Sequence, residues 1–328
     1  MVRMGILGAG HIAEKMAHTI QLMDQNRVQL MAVASRSKEK AQDFAKKWNV
    51  PKAYGGYEAM AADPEVDFVY VATPHSHHAA HATLCLSHGK HVLCEKAFTV
   101  NANEARQICA LAEEKGLLLA EAIWTRYLPS RELINEAIRS GQIGDVRMVM
   151  ANLSWNMTNK ERITNPLLAG GALLDIGVYC LNFASMVLGD DVTDIDTQVV
   201  MMPTGVDGSE VMTLRYGNGA IAILTCSATS MGDKRCMIQG TKGYITVDVV
   251  SNPLDVRIFI PKKTGMEETQ IEIPPQLTGF EYEVEACLDA IARRKIEPDQ
   301  MPHRQSIRMM EMMDDFRRRW GMVYPMEQ

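Results

Sequence analysis

The chain has 328 residues, of which 47% are hydrophobic and 23% are charged, and its formal net charge is −6. This length exceeds what one hydrophobic core usually serves, so we expect two domains of ordinary globular composition. The acidic balance without a long Lys/Arg run argues against a nucleic-acid partner. No uninterrupted apolar window of about 20 residues and no secretory signal pattern is present, which predicts no membrane partner and a cytoplasmic protein.

The first part of the chain alternates short apolar runs with amphipathic segments. Five runs are predicted to be strands: Met4–Leu7, Leu30–Ala34, Phe68–Ala72, His91–Cys94 and Leu117–Glu121. The segments between them have helical periodicity. This alternation predicts an α/β fold, with a Rossmann-type doubly wound parallel sheet over residues 1–122 that binds ligands at the carboxyl ends of its strands. Asn101 is the predicted N-cap of a helix for which Gly116 suits the C′ position.

Residues 123–328 show a different pattern, typical of an α+β domain with a large, mostly antiparallel sheet. The predicted strands are Val146–Leu153, Thr193–Met202, Val211–Tyr216, Ala220–Ser227, Arg235–Gln239, Tyr244–Val250 and Val256–Ile260. The predicted helices are Ser130–Ser140, Leu173–Leu188, Glu281–Arg294 and Gln305–Trp320. Because these helices are too few to cover both faces of so long a sheet, we expect a homodimer formed through it.

The turn after the first strand has the residues that a dinucleotide site needs. Gly8 permits a sharp turn, Gly10 removes a side chain that would block a pyrophosphate, and the small Ala13 lets the helix approach the sheet. His11 and Ile12 begin that helix, whose free N–H groups and dipole favour an anion. The same residues also suit a tight turn on steric grounds alone, so the surrounding strand-turn-helix context is what favours a cofactor site.

The end of the second strand indicates which cofactor is bound. An NAD site usually places Asp or Glu here to bind the ribose 2′-hydroxyl, whereas this chain has Ser35-Arg36-Ser37. A hydroxyl and a guanidinium suit a 2′-phosphate, so we expect NADP, with NAD less favoured. The alternative that Ser37 simply caps a solvated helix is compatible with this interpretation.

The third long strand is followed by a histidine-rich tract. Thr73, Pro74, His75 and His78 are expected to line the cofactor, and no metal is expected because the tract has no Cys or carboxylate to complete a zinc site. The methionines at Met309–Met313 predict core or interface packing. The seven cysteines form no C-x-x-C pair and are expected to be buried, reduced thiols.

Three residues are candidates for catalysis. Lys96 follows Glu95 at the carboxyl end of a predicted parallel strand, where a nicotinamide should lie. Asp175 and Tyr179 share one face if residues 173–188 are helical. The preceding Gly170-Gly171 pair would permit close approach by the other domain or by a ligand. An isolated Asp/Tyr pair is more often structural, but a lysine across a cofactor crevice favours catalysis.

Several motifs in the same order resemble the glucose-fructose oxidoreductase / inositol dehydrogenase (Gfo/Idh/MocA) family. They are Gly8-Ala9-Gly10-x-x-Ala13, Ala72-Thr73-Pro74-x-x-x-His78, Gly89-Lys90-His91-Val92-Leu93-Cys94-Glu95-Lys96, Trp124-x-Arg126-Tyr127-x-Pro129 and Gly170-Gly171-Ala172-Leu173-Leu174-Asp175-Ile176-Gly177-x-Tyr179. Tyr179, where many members have His, makes the chain most similar to the branch with dimeric dihydrodiol dehydrogenase and NADP-dependent xylose dehydrogenase. One departure is Ala97, where the family usually has Pro.

The resemblance implies roles for these residues. Lys96 and Tyr179 match the proposed catalytic residues of the branch, and Asp175 matches the residue beside them. Glu95, Trp124 and Arg126 are expected next to the cofactor. The expected activity is transfer of a hydride between NADP and a carbinol carbon of a sugar or diol. Tyr179 is a poor base at its ordinary pKa of about 10, so a Lys96 ammonium would have to stabilise the phenolate. The alternative is an NADP-binding sensor or regulatory subunit with little turnover.

Overall fold

The computed structural model describes all 328 residues. Its 14 strands are β1 (Val2–Leu7), β2 (Val28–Ala34), β3 (Lys52–Tyr54), β4 (Phe68–Val71), β5 (His91–Glu95), β6 (Leu119–Ala122), β7 (Val146–Ser154), β8 (Val192–Met201), β9 (Asp207–Tyr216), β10 (Ile221–Ser227), β11 (Cys236–Gly240), β12 (Tyr244–Val247), β13 (Val256–Pro261) and β14 (Met266–Ile271). Its ten α-helices are α1 (His11–Leu22), α2 (Lys38–Trp48), α3 (Tyr57–Ala61), α4 (His78–Ser87), α5 (Ala102–Lys115), α6 (Pro129–Arg139), α7 (Glu161–Thr164), α8 (Val178–Leu188), α9 (Glu281–Ala292) and α10 (His303–Trp320).

The chain forms two compact units. The first comprises Met1–Trp124 and Gln276–Glu311, and the second comprises Thr125–Pro275 and Met312–Gln328. The first boundary lies close to the predicted one, but the contiguous division into 1–122 and 123–328 does not describe the later part of the chain. Apolar side chains of α9, such as Val284, are buried in the same hydrophobic core as Met4, so α9 belongs to the first unit.

The first unit contains a six-stranded parallel sheet in the order β3-β2-β1-β4-β5-β6. All four residues of β4 are buried, as expected for a central strand covered on both faces. The predicted Rossmann-type arrangement is therefore confirmed. β3 was not predicted, because three half-buried residues carry no hydrophobic period.

The predicted helix caps of this unit are present. The Ser37 Oγ accepts a hydrogen bond from the Lys40 N–H at 3.2 Å, and the Asn101 Oδ1 accepts one from the Glu104 N–H at 3.0 Å. Gly116 ends α5 with φ of +64°, a left-handed conformation that glycine adopts without strain. Local sequence signals therefore determine where α2 and α5 begin and where α5 ends.

The second unit contains an eight-stranded sheet in the order β14-β13-β12-β11-β7-β10-β9-β8. Every pair is antiparallel except β7 with β10, which confirms the predicted mostly antiparallel sheet. Along β9, Met212 and Leu214 are fully buried, whereas Val211 before them and Arg215 after them are exposed. The exposed edge strand β14 was not predicted, because its residues are almost all polar and solvated.

The segment before and within α8 is strongly apolar. A π-helical turn over Leu173–Gly177 precedes α8, in place of the continuous α-helix that was predicted. By length and composition Pro166–Leu188 could cross a membrane, but 72% of its most apolar window is buried inside the protein. This burial is the arrangement of a core helix, and Cys180 and Leu181 are among its buried residues.

The predictions for sulfur-containing residues are confirmed. All seven cysteines are buried and none forms a disulfide. Met309, Met310, Met312 and Met313 are almost completely buried, so they serve as core packing.

Candidate functional site

The turn after β1 has the form that a dinucleotide requires. Gly8 has φ of +112°, and a Cβ atom there would lie 2.6 Å from the Ala72 carbonyl oxygen, so the position excludes other residues. A Cβ at Gly10 would meet no protein atom within 4 Å, and no side chain caps the helix that follows. Exposed His11 and half-buried Ile12 form the first turn of α1. An uncapped helix start beside open space fits a pyrophosphate.

The end of β2 has basic and hydroxyl groups and no carboxylate. The Ser35 N–H donates to the Tyr54 carbonyl at 3.1 Å, which fixes Ser35 against β3. The next residue, Arg36, is exposed. A fixed hydroxyl beside an exposed guanidinium fits the phosphate of a nucleotide ribose.

The loop after β4 also lies at the carboxyl edge of the parallel sheet. Thr73 and Pro74 are half-buried, and the Thr73 Oγ1 is 3.0 Å from the His81 Nδ1. His75 is buried in the short turn that follows. The tract does not assemble a metal site, because no group of three or more His, Cys, Asp or Glu side chains is placed to hold an ion.

His78 has a different environment from the one predicted. It is fully buried, with its Nδ1 2.8 Å from the Ala97 carbonyl oxygen and its Nε2 2.7 Å from the Thr73 carbonyl oxygen. Complete burial disfavours the charged ring more than the two carbonyl oxygens favour it, and it lowers the pKa of His78 to about 4. A neutral ring has one N–H, so His78 donates to one of these two carbonyl oxygens at a time and packs between the loops after β4 and β5. His78 therefore supports these loops, and its contact with the cofactor stays a prediction.

Lys96 directly follows β5, and polar contacts of its own N–H and of the next residue position its backbone. The Lys96 N–H donates to the Glu95 Oε2 at 3.2 Å, and the buried Glu95 also accepts a hydrogen bond from the Tyr70 hydroxyl. The next residue, Ala97, faces His78 through its carbonyl oxygen, and the Lys96–Ala97 peptide is cis. The Lys96 side chain is half-buried.

Two predicted cofactor residues have partners within their own units. Trp124 stacks on Phe280 with ring centroids 4.4 Å apart, and Gly279 is required beneath it because a Cβ there would lie 2.8 Å from the ring. Arg126 is only 5% exposed and donates to Asn182 and Ser185 of α8. Arg126 therefore anchors α8, and its contact with the cofactor stays a prediction.

The second unit carries the other two candidate catalytic residues. Asp175 is in the π-helical turn, and its side chain is 5% exposed. Arg162 of α7 donates a short, charge-assisted hydrogen bond to Asp175. Tyr179 lies in the first turn of α8 and is half-buried.

The two glycines before this turn are required by residues of the same unit. A Cβ at Gly170 would lie 2.5 Å from the Ile163 carbonyl oxygen. Gly171 has φ of +121°, and its Cβ would lie 2.1 Å from the Asp207 Oδ1. The expected approach by the other domain or by a ligand is therefore replaced by the approach of Ile163 and Asp207.

Comparison with known proteins accounts for nearly the whole chain. The family model described as "Oxidoreductase family, NAD-binding Rossmann fold" matches residues 2–122, and the "GFO/IDH/MocA C-terminal domain" model matches residues 132–246. The chain belongs to the Gfo/Idh/MocA oxidoreductase family. Among its family relatives, the trans-1,2-dihydrobenzene-1,2-diol dehydrogenase of Bos taurus is 34% identical over 337 residues, covering 99% of both chains. The corresponding Homo sapiens protein is 33% identical with the same coverage.

Solved structures agree with this family assignment. A 3-ketoreductase from Actinomadura kijaniata, in complex with NADP and TDP-benzene, is 25% identical with a TM-score of 0.87, covering 95% of this chain and 96% of that one. Variants of that ketoreductase with a lysine or a tyrosine substituted also match. An aldose-aldose oxidoreductase from Caulobacter crescentus, at 22% identity and a TM-score of 0.86, covers 98% of each chain and shows the same fold.

Two residues beside the family motif were missed by sequence reasoning. Arg162 lies on the one-turn helix α7, and Asp207 begins β9; neither belongs to a recognisable pattern. Asp207 is fully buried and accepts a hydrogen bond from the Leu173 N–H. A usable signal was the Gly170-Gly171 pair itself, which indicates that another group approaches closely at that point.

Proposed function

We propose that this oxidoreductase uses NADP to transfer a hydride between the nicotinamide and a carbinol carbon of a sugar or diol. The observation that carries the proposal is the similarity over 99% of the chain to the diol dehydrogenases, combined with the presence of Lys96, Asp175 and Tyr179 in the matching motifs. The ketoreductase solved with NADP supports the cofactor assignment. Its substituted lysine and tyrosine are consistent with our choice of Lys96 and Tyr179.

The residues toward the cofactor have distinct tasks. The turn Gly8–Ile12 binds the pyrophosphate, Ser35 and Arg36 bind the 2′-phosphate, and Thr73 to His75 line the nucleotide. When bound, NADP supplies the hydride acceptor or donor. Selectivity for NADP over NAD follows from Arg36, because a guanidinium forms paired, charge-assisted hydrogen bonds with a phosphate and finds no such partner in a ribose hydroxyl.

Side chains of the protein transfer the proton of the substrate hydroxyl. Tyr179 removes the proton of the substrate hydroxyl during oxidation and returns it during reduction. The Lys96 ammonium is proposed to stabilise the phenolate that Tyr179 forms, because a neighbouring positive charge favours the ionised form of a tyrosine. Asp175 accepts a hydrogen bond from a substrate hydroxyl and so orients the reacting carbon.

A homodimer is proposed through the face of the eight-stranded sheet that α8 does not cover. The turn before α8 lies on the other face, where a Cβ at Gly177 would be 2.9 Å from the Cys226 Sγ. The uncovered face carries Met150 and Val211, which are 41% and 46% exposed. It also contains a concavity of about 740 Å³ whose lining includes Ile223, Met237 and Phe259. A second copy would bury this apolar surface.

We also propose a cytoplasmic location, which the seven buried, unpaired thiols support because cytoplasmic cysteines are usually kept reduced.

A panel assay tests the activity. Purified protein with NADP and, separately, NAD is mixed with aldoses, inositols and vicinal diols, and absorbance at 340 nm is followed. We expect NADP-dependent turnover with at least one aldose or diol. A protein that binds NADPH tightly, by fluorescence titration, but turns over none of the panel would instead support a sensor or regulatory role.

A further inference from the structure

Arg162 is placed against the candidate catalytic Asp175 by a rigid framework. The residue after it, Ile163, is fully buried and accepts a hydrogen bond from the Gly171 N–H at 2.8 Å. The Asn165 carbonyl oxygen accepts another from the Gly170 N–H at 3.2 Å. The short helix α7 is therefore fixed to the turn that leads to Asp175, so the Arg162–Asp175 ion pair results from backbone geometry on both sides.

The exposure of the pair is unequal. The Asp175 side chain is 5% exposed, whereas that of Arg162 is 48% exposed. The guanidinium has five N–H donors. One donates to the Asp175 Oδ1, and one Nη lies 3.9 Å from the Met157 sulfur. The other N–H groups have no acceptor within the protein, so Arg162 presents directed donors to solvent directly beside a carboxylate.

We propose that Arg162 is a substrate-binding residue and that Arg162 and Asp175 together recognise two neighbouring hydroxyl groups. The inference rests on the proposed function, because it places the substrate at Asp175. A hydroxyl group both donates and accepts hydrogen bonds. One hydroxyl donates to the carboxylate, and the oxygen of the next accepts from the guanidinium.

The arrangement of the pair specifies which substrates it binds. A vicinal diol offers one hydroxyl that donates to the carboxylate beside a second whose oxygen accepts from the guanidinium. The site therefore selects substrates with two neighbouring hydroxyl groups over simple alcohols and deoxy analogues.

The test compares paired probes that differ in one hydroxyl. D-glucose is paired with 2-deoxy-D-glucose, and trans-cyclohexane-1,2-diol with cyclohexanol, and kcat and KM are measured with NADP. For the pair that is oxidised, wild-type kcat/KM should favour the hydroxylated member by about 10- to 100-fold, the usual value of a hydrogen bond to a charged group. Arg162→Lys and Arg162→Met should reduce this preference at least tenfold, mainly through a higher KM for the hydroxylated member.

Two controls accompany this comparison. Lys160→Met, an exposed position just before α7, should leave the preference unchanged. Arg162→Lys retains a cation for Asp175, and its thermal midpoint and NADPH affinity should equal those of the wild type.

An equal loss of kcat/KM with both members of a pair would show that Arg162 only supports Asp175 and would overturn the proposal. Unchanged preference in both variants would also overturn it. Absence of turnover with every probe by wild type that still binds NADPH would overturn the proposed function and this inference with it.

Discussion

Asp207, the first residue of β9, accepts a hydrogen bond from the Leu173 backbone N–H at 2.6 Å. Leu173 begins the helical segment that carries Asp175 and Tyr179, so a carboxylate from a distant strand caps this segment. Gly171 makes the approach possible, because any side chain there would collide with Asp207. Burial raises the pKa of Asp207 to about 6 from an ordinary value of 3.8.

The Asp207 carboxyl should make stability depend on pH in a specific direction. The folded state holds this proton more tightly than the unfolded state, so the contribution of Asp207 to stability is lost as pH rises from about 4 to 6. Asp207→Asn keeps an acceptor oxygen for Leu173 and cannot ionise. Relative to this variant, the wild-type free energy of unfolding should fall by about 3 kcal/mol across that range, at 1.4 kcal/mol per pH unit. Urea titrations between pH 4 and 7 measure the difference, with exposed Asp196→Asn as the control. A difference that does not vary with pH would contradict the assignment.

The proposed catalytic pair has a kinetic signature. Tyr179→Phe should lower kcat by about 100-fold or more with NADP affinity nearly unchanged, because acid–base catalysis contributes about 10²–10⁴-fold. Lys96→Met should do the same, and the double variant should lose less than the product of the two losses. In the oxidative direction, the rise of kcat/KM with pH should move to higher pH when Lys96 loses its charge.

A matched substitution separates chemistry from folding. Tyr244→Phe removes a hydroxyl from a tyrosine on β12 that stacks on Phe259, and it should leave kcat intact. If Tyr179→Phe keeps near-full turnover with an unchanged pH profile, the proton passes through another group, and Lys96 becomes the next candidate.

Cofactor selectivity should depend on Arg36. Arg36→Ala should weaken NADP binding by at least tenfold while changing NAD binding by less than about threefold. The reason is that only NADP carries the ribose 2′-phosphate, to which the guanidinium is proposed to bind. Isothermal titration calorimetry with both cofactors gives the two affinities. Lys40→Ala, on the exposed first turn of α2, is the control for a general change in charge. Equal losses for NADP and NAD would refute the assignment.

The oligomeric state should depend on the uncovered sheet face. We expect light scattering at micromolar concentration to give the mass of a dimer for the wild type. Val211→Glu should produce monomers, because it places a charge on the apolar face that the contact would bury. Leu167→Glu, at an exposed apolar residue outside the sheet, should remain dimeric. A monomeric wild type would exclude this interface.

Features that depend on neighbouring residues were predictable from the sequence. The Gly8 turn, the caps at Ser37 and Asn101, and the alternation of buried and exposed residues along β9 all arise from local backbone preference or from burial of one face. Family motifs also indicate Lys96, Asp175 and Tyr179 as catalytic candidates, and these roles stay predictions. The short strand β3 and the polar strand β14 were not predicted from the sequence, because they lack an apolar period and form through pairing with a neighbouring strand.

Features that depend on residues distant in the chain were decided by the tertiary structure alone. His78 and Arg126 lie in family motifs, yet the fold buries them against Thr73, Ala97 and α8, where their donors bind protein acceptors. Asp207 reaches Leu173 across 34 positions of the chain. α9 joins the core of the first unit after a whole second unit has intervened. Composition and periodicity describe how buried a residue is expected to be, whereas its partner is determined by which elements the chain brings together.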